Sequence, residues 1–231
     1  MNNMSTLFIV ATPIGNLEDI TLRALRILRE VDVVLCEDTR VTKKLLSHYE
    51  ISTPVESYHA HSTTRKSEKI LNWLRESKHL ALVVDAGTPG ISDPGVDLVK
   101  EVREALGDTV RIEAVPGASA LVAALSITGI PAHTFTFFGF PPHKKGRNNF
   151  FDTVIATPHM AIFYESTHRL VKALEVLNKR ADTRQVTVVK EITKIHERVL
   201  TGTAIELIEL LKQEPALIKG EFVVIVHPID F

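Results

Sequence analysis

The sequence predicts an α/β protein of two α/β domains. The N-terminal domain is expected to hold a mostly parallel sheet and the C-terminal domain a mixed one. Three observations carry this. Short apolar, β-branched runs alternate with segments of helical period, the rhythm of a parallel sheet covered by helices. Glycine-rich or polar clusters stand at the carboxyl ends of several runs, where open α/β sheets bind ligands. The rhythm then breaks at residues 135–147, where proline, glycine and charge concentrate as in a hinge. The expected domains are residues 1–134 and 148–231, with 135–147 as linker.

Element by element, residues 7–11 read as a buried strand, and Leu22, Leu25, Ile27 and Leu28 follow at helical spacing. Residues 33–36 form a second apolar run, ended by Glu37-Asp38-Thr39-Arg40 and a short helix to residue 49. Residues 55–59 suit a third strand, and Ile70, Leu71 and Leu74 mark an amphipathic helix. Residues 80–84 are a continuous apolar run of the kind a parallel strand shows. Val96, Leu98, Val99 and Val102 begin the next helix, residues 110–115 the fifth strand, and 118–127 an apolar helix. Beyond the linker, strands are expected at 160–164, 185–189, 198–201 and 222–226, and helices at 168–177 and 204–211. The closeness of the runs on either side of residues 190–197 implies an antiparallel pair.

The composition excludes several classes. The chain has 231 residues, 45% hydrophobic and 24% charged, which is ordinary for a globular protein. A net charge of −1 gives no global field toward nucleic acid or anionic membrane. Cys36 is the only cysteine, so no internal disulfide forms. The N-terminus lacks a basic stretch, and no apolar run approaches the ~20 residues of a membrane span. The expected location is the cytoplasm.

The stretch Asp85-Ala86-Gly87-Thr88-Pro89-Gly90-Ile91-Ser92-Asp93-Pro94-Gly95 carries the most information. Three glycines allow close backbone approach and two prolines fix the shape, so a preformed small-molecule cradle is expected. Thr12-Pro13-Ile14-Gly15-Asn16, Glu37 to Arg40 and Pro116-Gly117-Ala118-Ser119-Ala120 follow other strands of the same domain. In a parallel sheet these loops share one edge. No Walker loop follows any strand, and no Gly-x-Gly-x-x-Gly follows the first, which argues against ATPases and dinucleotide dehydrogenases. A Gly-x-Ser-x-Gly elbow and zinc-ligand spacings are also missing. His59 and His61 are weak metal ligands by position, and no metal is expected. Tyr164-Glu165-Ser166-Thr167-His168-Arg169 and Lys190-Glu191-Ile192-Thr193-Lys194-Ile195-His196-Glu197-Arg198 follow strands of the second domain. The latter is dense in proton-moving and anion-holding groups. A charged hairpin tip explains it equally well from composition.

Taken in order, Val10 to Leu17, Glu37 to Arg40, Asp85 to Gly95, Pro116 to Ala120, Phe138-Gly139-Phe140-Pro141-Pro142, Tyr164 to Arg169 and Lys190 to Glu197 resemble the tetrapyrrole methylase superfamily. The set is most similar to its ribosomal RNA small-subunit methyltransferase I branch, over nearly the whole chain. The resemblance implies S-adenosylmethionine folded into a cleft between two α/β domains, a homodimer, and methylation of a cytidine ribose 2′-O in the decoding centre of 16S rRNA. Pro13, Asp85, Ala86, Gly87, Thr88, Ile91, Ser119 and Ala120 would line the cofactor pocket, with Tyr164 and Glu165 from the second domain. Tetrapyrrole-type relatives carry Gly-Gly-Asp-Pro where this chain has Ala86-Gly87-Thr88-Pro89, a departure that suits an RNA substrate. Members of the branch often continue into a small helical domain, whereas this sequence stops at Phe231.

The implied reaction is in-line methyl transfer, in which positioning dominates. A base takes the hydroxyl proton as the bond forms. Lys190, Glu191 and Glu197 are the expected base candidates, with Asp38 and Arg40 facing them. Lys144, Lys145, Arg147, Arg169 and Lys194 are the expected contacts to RNA phosphates. Two other readings are a methyltransferase on a tetrapyrrole or another small molecule, and a non-catalytic cofactor-binding protein.

Overall fold

The computed structural model describes residues 4–59, 64–91, 93, 95–180 and 183–229. The chain divides into two compact units, Met1–Ser119 and Ala120–Phe231.

The first unit holds five parallel strands: β1 (Thr6–Val10), β2 (Val33–Cys36), β3 (Val55–Ser57), β4 (Leu80–Leu82) and β5 (Arg111–Val115), in the order β3-β2-β4-β1-β5. Helices α1 (Leu22–Glu30) and α2 (Thr39–His48) carry the chain from β1 out to β3, and α3 (Thr64–Arg75) and α4 (Gly95–Leu106) carry it back to β5. Strand side chains alternate between faces, which produces two cores. Val10, Val34, Cys36 and Ala81 pack with Ala24, Ile27, Leu28 and Leu46 of α1 and α2. Leu7, Leu35, Leu80 and Leu82 pack with Ile70, Leu74, Leu98 and Val102 of α3 and α4. The connection leaving β2 runs outward to β3, and the one leaving adjacent β4 runs the opposite way to β5. The sheet therefore switches direction between β2 and β4, the place where an open α/β sheet forms a crevice.

The second unit holds α5 (Ala120–Ile127), β6 (Phe135–Phe137), α6 (Arg147–Ala156), β7 (Met160–Ser166), α7 (Leu170–Arg180), β8 (Gln185–Lys190), β9 (Arg198–Thr203), α8 (Ala204–Gln213) and β10 (Glu221–Val226). The sheet order is β6-β7-β10-β8-β9. Among the described residues its only parallel pair is β6 with β7. Phe151, Phe163, Leu174, Val188, Leu207 and Val224 belong to the core beneath α6, α7 and α8.

The α/β class, the parallel first sheet and the mixed second sheet match the expectation. The boundary differs. The division falls at Ser119, and part of the expected linker, Phe135–Phe137, is an edge strand of the second sheet. Helix α6 was not expected. Its Asn, Thr and β-branched residues are weak helix formers, and it starts at Gly146 in the left-handed region with no capping side chain. Burial of Phe151 and Val154, three apart on one face, holds it in place. No helix among the described residues is long and apolar enough to cross a membrane.

Candidate active site

In the first unit, three loops at the carboxyl edge of the parallel sheet are tied into one structure. Thr12, after β1, exchanges backbone hydrogen bonds with Gly87, after β4, at 3.0 and 3.1 Å. Its buried hydroxyl donates to the Val84 carbonyl at 3.0 Å. Thr88 donates to the Ala118 carbonyl of the loop after β5 at 3.1 Å. A Cβ on Gly117 would lie 2.9 Å from that of Ala11, so only glycine lets the β5 loop lie this close to β1. Gly87 and Gly90 have φ of 88° and 89°, a region that L side chains rarely adopt.

The organiser of the long loop is a residue outside the motif's recognised glycines and prolines. The Asp93 carboxylate accepts from the backbone N–H groups of Gly90, Ile91 and Gly95, the last at 2.8 Å. Asp directly before the pair Pro94-Gly95 is a turn signal, and it was the available clue. Ser92 and Pro94 lie outside the described residues, as does His61.

Beside these loops, at the β2/β4 switch, lies a pocket of about 340 Å³. Thr12, Pro13 and Leu17 form one wall, Val84 and Asp85 another, and Val41, Thr42, Lys44 and Leu45 of α2 the third. The α2 wall was not anticipated, because its residues carry no motif. Asp38 caps α2 through the Arg40 N–H at 2.8 Å, and its own N–H donates to Asp85 Oδ1 at 3.2 Å. Hydrogen bonds from the Arg40 side chain and backbone hold the Asp38 carboxyl at a pKa of about 2. That makes it a poor proton acceptor. Of the cofactor candidates, Pro13 and Asp85 line this pocket, Ala86 and Ile91 are exposed on the β4 loop, and Gly87 and Thr88 anchor it. Ser119 is half-buried at the end of the β5 loop.

In the second unit, Ala120 opens α5. The Tyr164 hydroxyl accepts the Leu121 N–H at 3.1 Å, and its ring meets the edges of Phe137 and Phe140. Burial pushes the phenol pKa up, against a smaller opposing effect of that hydrogen bond. The Glu165 side chain is fully buried between Arg147 at 3.3 Å and Arg169 at 3.4 Å. Both guanidinium groups also donate to the Pro142 carbonyl, and Arg169 donates to that of Pro141. The expected phosphate ligands Arg147 and Arg169 are thus committed to fixing the segment before α6. Lys144 and Lys145, by contrast, are exposed.

The tip between β8 and β9 is tightly braced. Glu191 and Thr193 take left-handed backbone conformations, with φ of 49° and 67°. Lys194 bridges Glu191 and Glu221 at 2.8 Å each. Burial opposes ionisation of Glu191, yet Lys194 and the Glu221 N–H outweigh it and lower its pKa. Those two carboxylates likewise raise the Lys194 pKa against its desolvation. Glu197 accepts the Thr193 N–H at 2.6 Å. Of the expected bases, Glu191 and Glu197 therefore brace the turn. Lys194, expected on phosphate, is neutralised within it. Lys190 differs: it is 5% exposed, and its ammonium makes one long hydrogen bond, 3.4 Å, to the His196 carbonyl.

Comparison with known proteins places this geometry. Residues 6–208 match the model of the Tetrapyrrole (Corrin/Porphyrin) Methylases. The ribosomal RNA small subunit methyltransferase I of Halalkalibacterium halodurans is 43% identical over 98% of this chain and 77% of its own. That of Escherichia coli O157:H7 is 43% identical over 98% and 79%. That of Thermotoga maritima is 40% identical over 96% and 98%. Among solved structures, a diphthine synthase superposes with a TM-score of 0.72 at 17% identity, over 97% of this chain and 90% of its own. A Thermus thermophilus uroporphyrin-III C-methyltransferase complexed with S-adenosyl homocysteine gives 0.63 at 19%, over 96% and 97%. At those identities the structures show the shared fold. The chain belongs to the tetrapyrrole (corrin/porphyrin) methylase family, in its ribosomal RNA small subunit methyltransferase I branch.

Proposed function

We propose that this protein transfers a methyl group from S-adenosylmethionine to the ribose 2′-O of a cytidine in the decoding centre of small-subunit (16S) ribosomal RNA, acting in the cytoplasm as a homodimer. The observation that carries the reaction class is the similarity, over 96 to 98% of this chain, to ribosomal RNA small subunit methyltransferases I, at 40 to 45% identity. The tied loops after β1, β4 and β5 supply a cradle suited to the donor. Small residues (Ala86 and Ser119) leave backbone accessible there, and Asp93 fixes the shape of the long loop. Pro13, the backbone from Asp85 to Thr88, Ile91, Ser119 and Ala120 would hold the cofactor, with Tyr164 setting the first turn of α5. Glu165 acts behind Tyr164, through the arginines it pairs.

When bound, S-adenosylmethionine supplies a methyl group activated by a positive sulfur. The chain's own task is to orient the ribose hydroxyl, remove its proton and exclude water. Lys190 is the base we favour, since the carboxylates expected beside it are occupied by the turn. An ammonium accepts no proton, so this role requires the neutral amine. Lys144 and Lys145 are the exposed cations for RNA phosphates.

The homodimer rests on α5. This helix has no charged residue, and it leaves Val122 at 61% and Ile127 at 44% exposure. A helix whose one polar residue is Ser126, with Val122 and Ile127 exposed, is best served by a covering surface, and a second copy supplies it. Val122→Asp is expected to shift the sedimentation coefficient to that of a monomer; an unchanged dimer removes α5 from the interface.

The direct test is transfer of labelled methyl to small ribosomal subunits lacking their own methylations, with the modified nucleoside mapped. Label on a cytidine 2′-O is expected. Label on a base, or on a tetrapyrrole instead of the subunit, would overturn the assignment. Lys190→Ala should reduce turnover by about 10²-fold or more, the range of general-base contributions, with donor affinity retained by calorimetry.

A further inference from the structure

The proposed reaction needs a seat for the nucleotide that receives the methyl group. We infer that the pocket at the β2/β4 switch takes the base of that nucleotide, an amino-pyrimidine, with cations of α2 on the flanking phosphates. This rests on the rRNA reading above.

The pocket adjoins the cradle loops, because Thr12, Pro13, Val84 and Asp85 belong to both. Its size falls within the range of small-ligand pockets. Enzymes that do chemistry on a base extrude it into such a pocket, and a seat of that kind can equally fix a base while its own ribose reacts. Pro13, Leu17, Leu45 and Val84 offer apolar surface to the faces of a flat ring. The walls are held before any substrate arrives. Tyr49, just past α2, donates to the Leu17 carbonyl, and Thr12 ties β1 to Val84.

Asp85 supplies the discrimination. Its Oδ1 accepts the Asp38 N–H, and among the described residues no hydrogen bond engages Oδ2. A carboxylate accepts from the exocyclic amine of cytosine. Uracil presents a carbonyl oxygen at the same position, which the carboxylate repels. The cations supply the phosphate contacts. Helix α2 carries Arg40, Lys43 and Lys44 and no acid, in a chain of net charge −1. Lys44 lines the pocket, and Arg40, four residues earlier, shares its face. Arg40 also pairs with Asp38, so Lys43 and Lys44 are the cations of α2 left without an ion pair among the described residues.

The test uses the intact enzyme and unmethylated small subunits. Leu45→Trp fills the pocket from α2, and Leu17→Trp fills it from the exposed 3-10 turn Leu17–Asp19, outside the α-helices. Both are expected to raise the KM for subunits at least tenfold while calorimetric affinity for S-adenosylmethionine stays within twofold. Asp85→Asn should lower the preference for cytidine over uridine at the mapped position about tenfold, since its amide donates where the carboxylate accepts. Lys43→Ala with Lys44→Ala should flatten the dependence of log affinity for subunits on log salt by up to about 2, roughly one for each phosphate no longer neutralised. Normal KM in both tryptophan variants overturns the inference. So does a parallel loss of donor affinity, which would make the pocket the donor's own. A wild-type enzyme that methylates no subunit overturns the parent reading instead, and the two failures are read in separate samples.

Discussion

At the scale of single residues, the sequence tells where charge is but not what it faces. Arg147, Arg169 and Lys194 read as phosphate ligands, yet the first two hold Glu165 and the third holds Glu191 and Glu221. The Glu165 side chain is fully buried and its two arginines are 18% exposed, so the cluster is a buried ion pair shared three ways. Removing one member of such a set leaves uncompensated buried charge. Glu165→Ala is therefore expected to cost about 3–5 kcal/mol in urea unfolding, and Glu165→Gln less, because the amide oxygen still accepts. Equal losses from both variants would mean that packing, not charge, is at stake. Gly90→Ala tests the backbone by the same measurement. With φ at 89°, it should cost about 1–2 kcal/mol, although the nearest atom to an added Cβ is 3.6 Å away.

Elements are where legibility is uneven. The inner parallel strands β1, β2 and β4 were readable because burial on both faces forces apolar runs, and the antiparallel β8–β9 pair because its tip is short. Helix α6 was hidden, since packing of Phe151 and Val154 overrides poor local propensity. Strand β6 was hidden among prolines and glycines that read as a hinge. At the site, the glycine-proline loop was evident, but its organising side chain was not. Asp93 accepts three backbone N–H groups, and charged hydrogen bonds contribute about 1.5–3 kcal/mol each. Asp93→Ala should therefore weaken S-adenosylmethionine binding about tenfold or more, as calorimetry would measure, with an unchanged circular dichroism spectrum. Full affinity in that variant would show that the glycines and prolines alone shape the loop. Helix α8 offers a control remote from this loop. Thr203 and Glu206 form a reciprocal cap at its start, so Thr203→Ala should cost about 1 kcal/mol of stability and leave turnover as it was.

For the whole molecule, the near-neutral net charge hides opposed local arrangements, and stability against pH exposes them. His227 lies buried at the end of β10, with Nε2 2.8 Å from the Thr187 hydroxyl. Burial, then the nearby Arg184, lowers its pKa below the ordinary 6.5. A base whose folded pKa is depressed binds protons more readily once unfolded. Stability is then complete above about 6.5 and declines as pH falls toward the lower folded value. Asp38, Glu191 and Glu206 are also shifted downward. Their contribution is present above the ordinary carboxylate range and is lost as pH falls through their folded values, a second decline below about 4.5. Unfolding free energy from urea titration should thus be flat above about pH 7, begin to fall as pH drops below about 6.5, and fall again in acid. His227→Gln, which keeps a partner for Thr187, should erase the first decline and leave the second. A first decline that survives the substitution would assign it to another histidine, and one that is missing from the wild type would mean that His227 takes up its proton equally in the folded and unfolded chain.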